Sequence, residues 1–239
     1  MRILLILPAY NEQDSILNTV AQIRAADFPT GMQVDYVVID DGSSDTTARL
    51  CRENGVPCVS LIRNLGIGGA VQTGYLFARA HGYDAAVQFD GDGQHDIASL
   101  PALLAPIANG THDFVVGSRF IAPGAGFRST ALRRFGIRLL SFLTRCVTGR
   151  RIWDVTSGYR AANRDTLCYL AENYPVDYPE PESLVQLLRR GVRVKEVPAN
   201  MFERAGGSSS IRRLRSAYYM LKVSLAILCA GLQRKEDAL

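Results

Sequence analysis

Ala85-Ala86-Val87-Gln88-Phe89-Asp90-Gly91-Asp92-Gly93-Gln94 is an apolar strand pattern that runs directly into two carboxylates on a loop loosened by glycine. Carboxylates at i and i+2 can converge on one hard cation. Mg²⁺ and Mn²⁺ take oxygen ligands and commonly leave positions for nucleotide phosphates. An Asp-x-Asp at a strand end is therefore a candidate diphosphate-metal site. The same residues also read as an ordinary Asp-Gly turn, and only the rest of the chain separates the two.

Working outward, the N-terminal half alternates short apolar runs with helical patterns. Ile3 to Leu7 reads as a strand and Asp14 to Ala25 as a helix, with Ile16, Val20 and Ile23 at helical spacing. Tyr36 to Ile39 and Val56 to Leu61 read as further strands, with a helix starting near Thr46 between them. A helix over 69–81, a strand over 85–89, a helix over 97–108 and a strand over 114–116 complete the pattern. This alternation predicts an α/β fold with a mostly parallel central sheet covered by helices on both faces. Ligands of such sheets bind beyond the carboxyl ends of the strands. Pro8-Ala9-Tyr10-Asn11-Glu12, Asp40-Asp41-Gly42-Ser43 and Asp90 to Gln94 all fall at such ends. No internal repeat, low-complexity segment or interdomain linker interrupts the chain.

At 239 residues the chain is long enough to bury a core without staples. Its five cysteines contain no Cys-x-x-Cys pair, and the first strand pattern begins at Arg2. The expectation is a reduced, cytoplasmic setting. The net charge of +4 conceals an asymmetry. Eight arginines and no acidic residue lie between Phe114 and Trp153, and seven basic residues and no acid between Arg204 and Lys235. The remainder is net acidic. Such segregation predicts anionic partners, a nucleotide diphosphate, a phosphorylated lipid or a membrane surface. Nucleic acid is not among them, because the basic stretches lack interleaved aromatics or a reading motif.

Taken in order, Pro8-Ala-Tyr-Asn-Glu12, Val38-Ile-Asp-Asp-Gly-Ser-Ser-Asp45, Asn64-Leu-Gly-Ile-Gly-Gly-Ala70, Phe89-Asp-Gly-Asp-Gly-Gln-His95, Gly117-Ser-Arg119 and Thr156-Ser-Gly-Tyr-Arg160 resemble glycosyltransferase family 2, of GT-A fold. The likeness is strongest to its polyprenyl-phosphate (dolichyl-phosphate mannosyltransferase-like) branch and runs from Leu7 to about Ile211. It implies a catalytic domain over residues 1–211, followed by an amphipathic helix over 212–239 that contacts a membrane or a second copy. It implies that Asp41 accepts a hydrogen bond from the nucleotide base, with Pro8, Tyr10 and Glu12 in the same pocket. Asp40 and Asp45 can equally make a turn and cap the next helix. The glycine-rich run containing Gly68 suits close approach of backbone to a ligand. It is not a dinucleotide fingerprint, since it does not follow the first strand.

The resemblance further implies that Asp90, Asp92 and Gln94 hold Mg²⁺ or Mn²⁺ against the donor diphosphate, with Asp90 bridging metal and nucleotide. Arg119 and Arg204 would grip phosphate, and Arg133 or Arg134 reads either as a further phosphate ligand or as part of a solvated helix face. His95 is either a neutral donor behind the metal loop or a capping residue.

Inverting displacement at an anomeric carbon needs a base when the acceptor is a hydroxyl and none when it is an anionic lipid phosphate. Asp177-Tyr-Pro-Glu180-Pro-Glu182 lies where hydroxyl-acceptor members carry their base. Glu182 is the first candidate and Glu180 the second. Glu182 also reads as a first-turn residue favoured by the helix dipole. The expected function is thus metal-dependent sugar transfer from a nucleotide-diphosphate sugar to a polyprenyl phosphate or a lipid-linked envelope glycan. The rivals are a hydroxyl-acceptor polysaccharide synthase and a non-catalytic nucleotide-sugar-binding partner.

Two stretches, 130–147 and 214–232, have amphipathic patterns. Neither supplies the ~20 apolar residues of a membrane span. The second reads either as an interfacial helix or as a core or dimer helix. If the acceptor is lipid-linked, the chain reaches the inner face of the cell membrane by surface attachment or through a small membrane partner protein.

Overall fold

The computed structural model describes residues 1–121, 131–202 and 213–232. Among them seven strands form one sheet in the order β3-β2-β1-β4-β6-β5-β7. The first half follows the alternation read above: β1 (Arg2–Ala9), α1 (Ile16–Ala25), β2 (Gln33–Asp40), α2 (Thr47–Glu53), β3 (Cys58–Ser60), α3 (Gly66–Ala80) and β4 (Ala85–Gln88). β1 pairs in parallel with both β2 and β4. The chain moves outward from β1 to β3 and then returns to β1's other side. The carboxyl ends of β1 and β4 therefore flank the crevice in which open α/β sheets bind ligands.

After the 3₁₀ turn Ile97–Ser99 come α4 (Leu100–Ala108), β5 (Phe114–Ser118), α5 (Ala131–Thr148), β6 (Arg160–Asn163), α6 (Arg164–Asn173), α7 (Pro179–Arg189), β7 (Val194–Pro198) and α8 (Arg213–Leu232). The expected helix over 97–108 is thus a 3₁₀ turn followed by an α-helix. β6 was not visible in the sequence pattern, because Arg-Ala-Ala-Asn has no β-branched or aromatic residue. It is a strand because it is wedged antiparallel between β4 and β5, where its backbone completes both ladders. β5 and β7 pair in parallel beyond it.

Alternation along β1 divides the core. Ile3, Leu5 and Leu7 pack with α1 and α4, whereas Leu4 and Ile6 pack with the group that includes α3, α6, α7 and α8. α8 is integral to that second layer: Val223 and Ile227 are fully buried. Gly136 of α5 lies against Met220, and Gly231 of α8 against Val147. The two helices therefore run side by side in parallel.

Gly68 requires a correction. The sequence reading assigned its small size to a bound ligand. In the structure the approach is to the chain itself, since a Cβ there would lie 2.5 Å from the carbonyl oxygens of both Pro175 and Val176. Gly68→Ala should therefore lower stability by about 1–3 kcal/mol through overpacking against rigid backbone. Urea unfolding should show a lower midpoint with an unchanged slope.

Candidate active site

Side-chain-to-backbone bonds stitch together the loops that leave β1 and β2. Asn11 sits at φ 57, left of the usual range for a side-chain-bearing residue. There its Oδ1 accepts from the backbone N–H groups of Ser44 and Asp45, and its own N–H donates to Ser43 Oγ. Asp45 accepts from Thr47 N–H at 2.8 Å, at the start of α2, and from Gln13 N–H. The helix-start role expected for Asp45 is therefore met. Glu12 donates its N–H to Thr47 Oγ1 and accepts from Ser15 Oγ, and Tyr10 stands half-exposed above Pro8.

Asp41 is buried at the end of β2. Its Oδ1 accepts from Leu65 N–H at 2.7 Å, at the head of α3. Those first N–H groups have no partner within the helix, so Asp41 supplies one. Burial pushes its carboxyl above the usual value, and the N–H groups of Leu65 and Gly66 oppose that rise. Asp41 thus faces the crevice while joining β2 to α3.

The metal loop is closed by His95. The Asp90 N–H donates to His95 Nδ1 at 3.0 Å, and Nε2 lies 3.5 Å from Asp90 Oδ2. An Nδ1 that accepts leaves the proton on Nε2, directed at the carboxylate. The ring is stacked on Tyr159 at 4.6 Å and meets Phe89 edge-on. Burial pushes its pKa down to about 4, against the pull of Asp92 and with the help of Arg119. His95 is therefore neutral near pH 7. This geometry makes it a donor behind the loop rather than a cap. Within the loop, Asp92 Oδ1 accepts from Gln94 N–H at 3.0 Å, and Gln94's carbonyl accepts from Phe202 N–H.

Two residues that sequence reasoning left without a role back the Asp90 carboxylate. Gln88, buried at the end of β4, donates to Asp90 Oδ1 at 3.3 Å and accepts from Tyr174 Oη. Gly158 faces the same carboxylate: a Cβ there would lie 2.9 Å from Gln88 Nε2 and 3.3 Å from Asp90 Oδ2. The signal for Gly158 was its place in Thr156-Ser-Gly-Tyr-Arg160. Gln88 gave none, because a polar residue on a strand reads as solvent-facing.

The two expected bases have different surroundings. Glu180 interacts with Gln88 and lies in the fields of Arg160 and Asp90, and burial raises its pKa. Glu182 is also raised by burial, but the neighbouring charge that adds to its rise is Asp177, away from the metal loop. Both occupy the first turn of α7, where consecutive even positions point to different sides. Arg119 has a carboxylate partner within the fold. Its guanidinium forks onto buried Asp154 at 2.7 and 2.8 Å and reaches Thr156 Oγ1 at 3.0 Å. That bidentate pair, made through Nε and Nη2, fixes the loop leading to Gly158. Arg134 is exposed on α5, Arg133 lies on the same helix, and Arg204 falls outside the described residues.

No group of three or more His, Cys, Asp or Glu side chains gathers around one point among the described residues. Asp90, Asp92 and the Gln94 amide nevertheless form an all-oxygen set on one short loop. They fit a hard divalent ion that draws its other ligands from a diphosphate and water.

The sequence profile "Glycosyl transferase family 2" matches residues 4–170. The chain belongs to this family. Among its relatives are an undecaprenyl-phosphate mannosyltransferase of Micrococcus luteus, 32% identical over 88% of each chain, and a UDP-N-acetylglucosamine–dolichyl-phosphate N-acetylglucosaminyltransferase of Methanococcus voltae, 31% identical over 82% of this chain and 84% of the other. Glucosyl-3-phosphoglycerate synthase of Mycobacterium tuberculosis, solved with Mn²⁺, UDP-glucose and phosphoglyceric acid, superposes with a TM-score of 0.69. That match covers 96% of this chain and 79% of the other at 21% identity, and shows that the fold is GT-A. The protein is therefore a family 2 glycosyltransferase.

The buried imidazole gives this enzyme a titration that is readable without metal. As pH falls from 6.5 to about 4, the unfolded chain binds a proton at position 95 that the folded chain excludes. Stability is full above that window and falls by up to ~3 kcal/mol across it. His95→Asn should keep an acceptor for Asp90 N–H and lose that part of the slope. Urea unfolding of the metal-free protein at a series of pH values would measure the difference.

Proposed function

We propose that this enzyme transfers a sugar, with inversion, from a nucleotide-diphosphate sugar to a polyprenyl phosphate. The observation carrying the reading is the placement of Asp41, Asp90 and Asp92 at the carboxyl ends of β2 and β4, the two strands that flank β1 in parallel. The acceptor class is supported by the relatives, whose names specify undecaprenyl and dolichyl phosphate.

In this reading the nucleoside lies along Pro8, Tyr10, Glu12 and Asp41, and its diphosphate reaches the Asp90–Gln94 loop. Asp90, Asp92 and Gln94 would hold the divalent ion, Mg²⁺ or Mn²⁺, which acts there as a Lewis acid on the leaving diphosphate. His95 and Gln88 hold Asp90 in place from behind. Gly158 leaves room beside that carboxylate. An acceptor phosphate oxygen attacks the anomeric carbon from the opposite face as the bond to the nucleotide diphosphate breaks. The departing nucleotide keeps the electron pair. A phosphate monoester is already anionic at neutral pH, so this attack needs no general base. Arg133, Arg134 and Arg204 are the candidates for neutralising the incoming charge.

A hydroxyl acceptor is the second reading, favoured by one observation. Glu180 combines a raised pKa with a place near Asp90, as a general base requires. Glu180→Gln separates the two. Transfer should change by less than about tenfold for a phosphate acceptor and fall by about 10²–10⁴ for a hydroxyl acceptor.

Radiolabelled UDP-, GDP- and dTDP-sugars, offered with and without undecaprenyl phosphate, should yield labelled lipid from one donor only when the lipid is present. Asp92→Ala should lower that transfer by about 10³ or more while the unfolding midpoint stays near that of the parent. Lipid labelling at the parental rate by the folded variant would overturn the metal-loop assignment.

A further inference from the structure

The outer side of α5 and α8 carries a surface that the sugar-transfer reading does not use. On α8, Leu221, Leu225, Leu228 and Leu232 are exposed, and Val223, Ile227 and Ala230 are buried. At 3.6 residues per turn these are opposite stripes of one helix. On α5, Phe135, Leu139 and Phe142 are exposed, while Ile137, Leu140 and Thr144 face the core. The parallel contact of α5 with α8, through Gly136–Met220 and Val147–Gly231, fixes how the stripes lie. Rotation from each helix's contact edge away from its core side brings both apolar stripes outward, next to one another. Soluble surfaces rarely leave so many large apolar side chains contiguous.

Arg138 and Arg145 lie two turns apart along the α5 edge of this surface. Between that edge and the following loop lies a cavity of about 420 Å³, lined by Arg138, Ser141, Phe142, Arg145, Arg151 and Trp153. Arg151 stacks on Trp153 with its guanidinium carbon 3.5 Å from the ring centre. Arg138, Arg145 and Arg151 have no ion pair to an acidic residue among the described residues. The sequence places no acid between Phe114 and Trp153 to supply one. No helix among the described residues is long and apolar enough to cross a membrane.

We propose that the α5–α8 face lies on an anionic bilayer and that the arginine cavity binds the phosphate of a phospholipid headgroup. The chemistry is complementary at both levels. The leucine and phenylalanine stripes enter the acyl boundary, as in interfacial helices, while Trp153 sits at headgroup depth. Guanidinium forks match phosphate oxygens, and basic pockets beside an apolar face are the usual form of lipid-headgroup site. The occupant is a bilayer lipid rather than a free anion, because the cavity opens beside the apolar stripes. Trp153 is joined through its backbone to the segment that leads to the metal loop. Its N–H donates to Glu196, its neighbour Asp154 holds Arg119, and Gly158 beside Asp90 is five residues on.

Trp153 is the sole tryptophan, so its emission reports this cavity in the unmodified protein. Wild-type protein would be titrated with vesicles of phosphatidylglycerol mixed with phosphatidylcholine, with phosphatidylcholine vesicles alone, and with soluble glycerol phosphate. A blue shift, and quenching by brominated acyl chains, are expected with the anionic vesicles alone. Arg138→Gln with Arg145→Gln should weaken that partitioning roughly thirtyfold, the effect of removing two basic residues from an anionic surface. Leu225→Ser, which changes only the apolar stripe of α8, should weaken it as well. Equal binding to phosphatidylcholine, a Trp153 response to glycerol phosphate alone, or unaltered binding by the double variant would each overturn the proposal. Donor, metal and polyprenyl phosphate are absent throughout, so this result and the sugar-transfer assay fail independently.

Discussion

Arg160 is a cation with no access to water, and the active site is arranged around satisfying it. Its guanidinium donates to the carbonyls of Ser157, Glu180 and Val155 and to Ser183 Oγ, at 2.6–3.2 Å. A buried charge is tolerated only when its hydrogen-bonding capacity is met. Meeting it here draws three separate segments together. The loop before β6 is folded back so that Gly158 faces Asp90. The first turn of α7 is pinned so that Glu180 faces Gln88. The start of β6 is locked beside β4, at the strand end that carries the metal loop. Loss of that one guanidinium would remove a donor from each of four acceptors and would loosen all three segments.

The same economy holds for the catalytic loops, which are joined through backbone groups rather than through ion pairs. Asn11 ties the β1 loop to the β2 loop, Asp41 ties β2 to α3, and His95 ties Asp90 to the start of the segment that returns after β7. Bonds of this kind fix the loop that carries Asp90 and Asp92. The division of charge has the same logic on a larger scale. Acid is concentrated where a divalent metal ion would neutralise it. The arginine-rich face of α5 lies around the edge of the molecule, where an anionic surface would meet it.

Much of the site was readable from the chain. Asp90, Asp92, Asp41 and the Pro8–Glu12 segment announced themselves because each follows a recognisable apolar strand, and strand ends in such sheets are where ligands bind. Gln88 was silent and Gly158 was marked only by its motif, since their roles come from what stands opposite them across β4 and β6. The partner of Arg119 was hidden for a related reason. An arginine's chemistry suits a phosphate and a carboxylate equally, and only the fold brings Asp154 within reach. Glu180 and Glu182 differ by two positions and no chemistry, so their roles follow from the direction in which α7 presents each.

Periodicity and composition determined the α/β class, the first four strands, the ligand-binding edge and the segregation of charge, because those properties are local and repeat along the chain. Tertiary structure alone decided the antiparallel placement of β6, the burial of Arg160, the pairing of Arg119 with Asp154 and the joining of two apolar stripes into one face. Each of these depends on segments distant in sequence meeting in one place. A side chain's chemistry sets which partners it can take, and the packing of the whole chain selects the one it has.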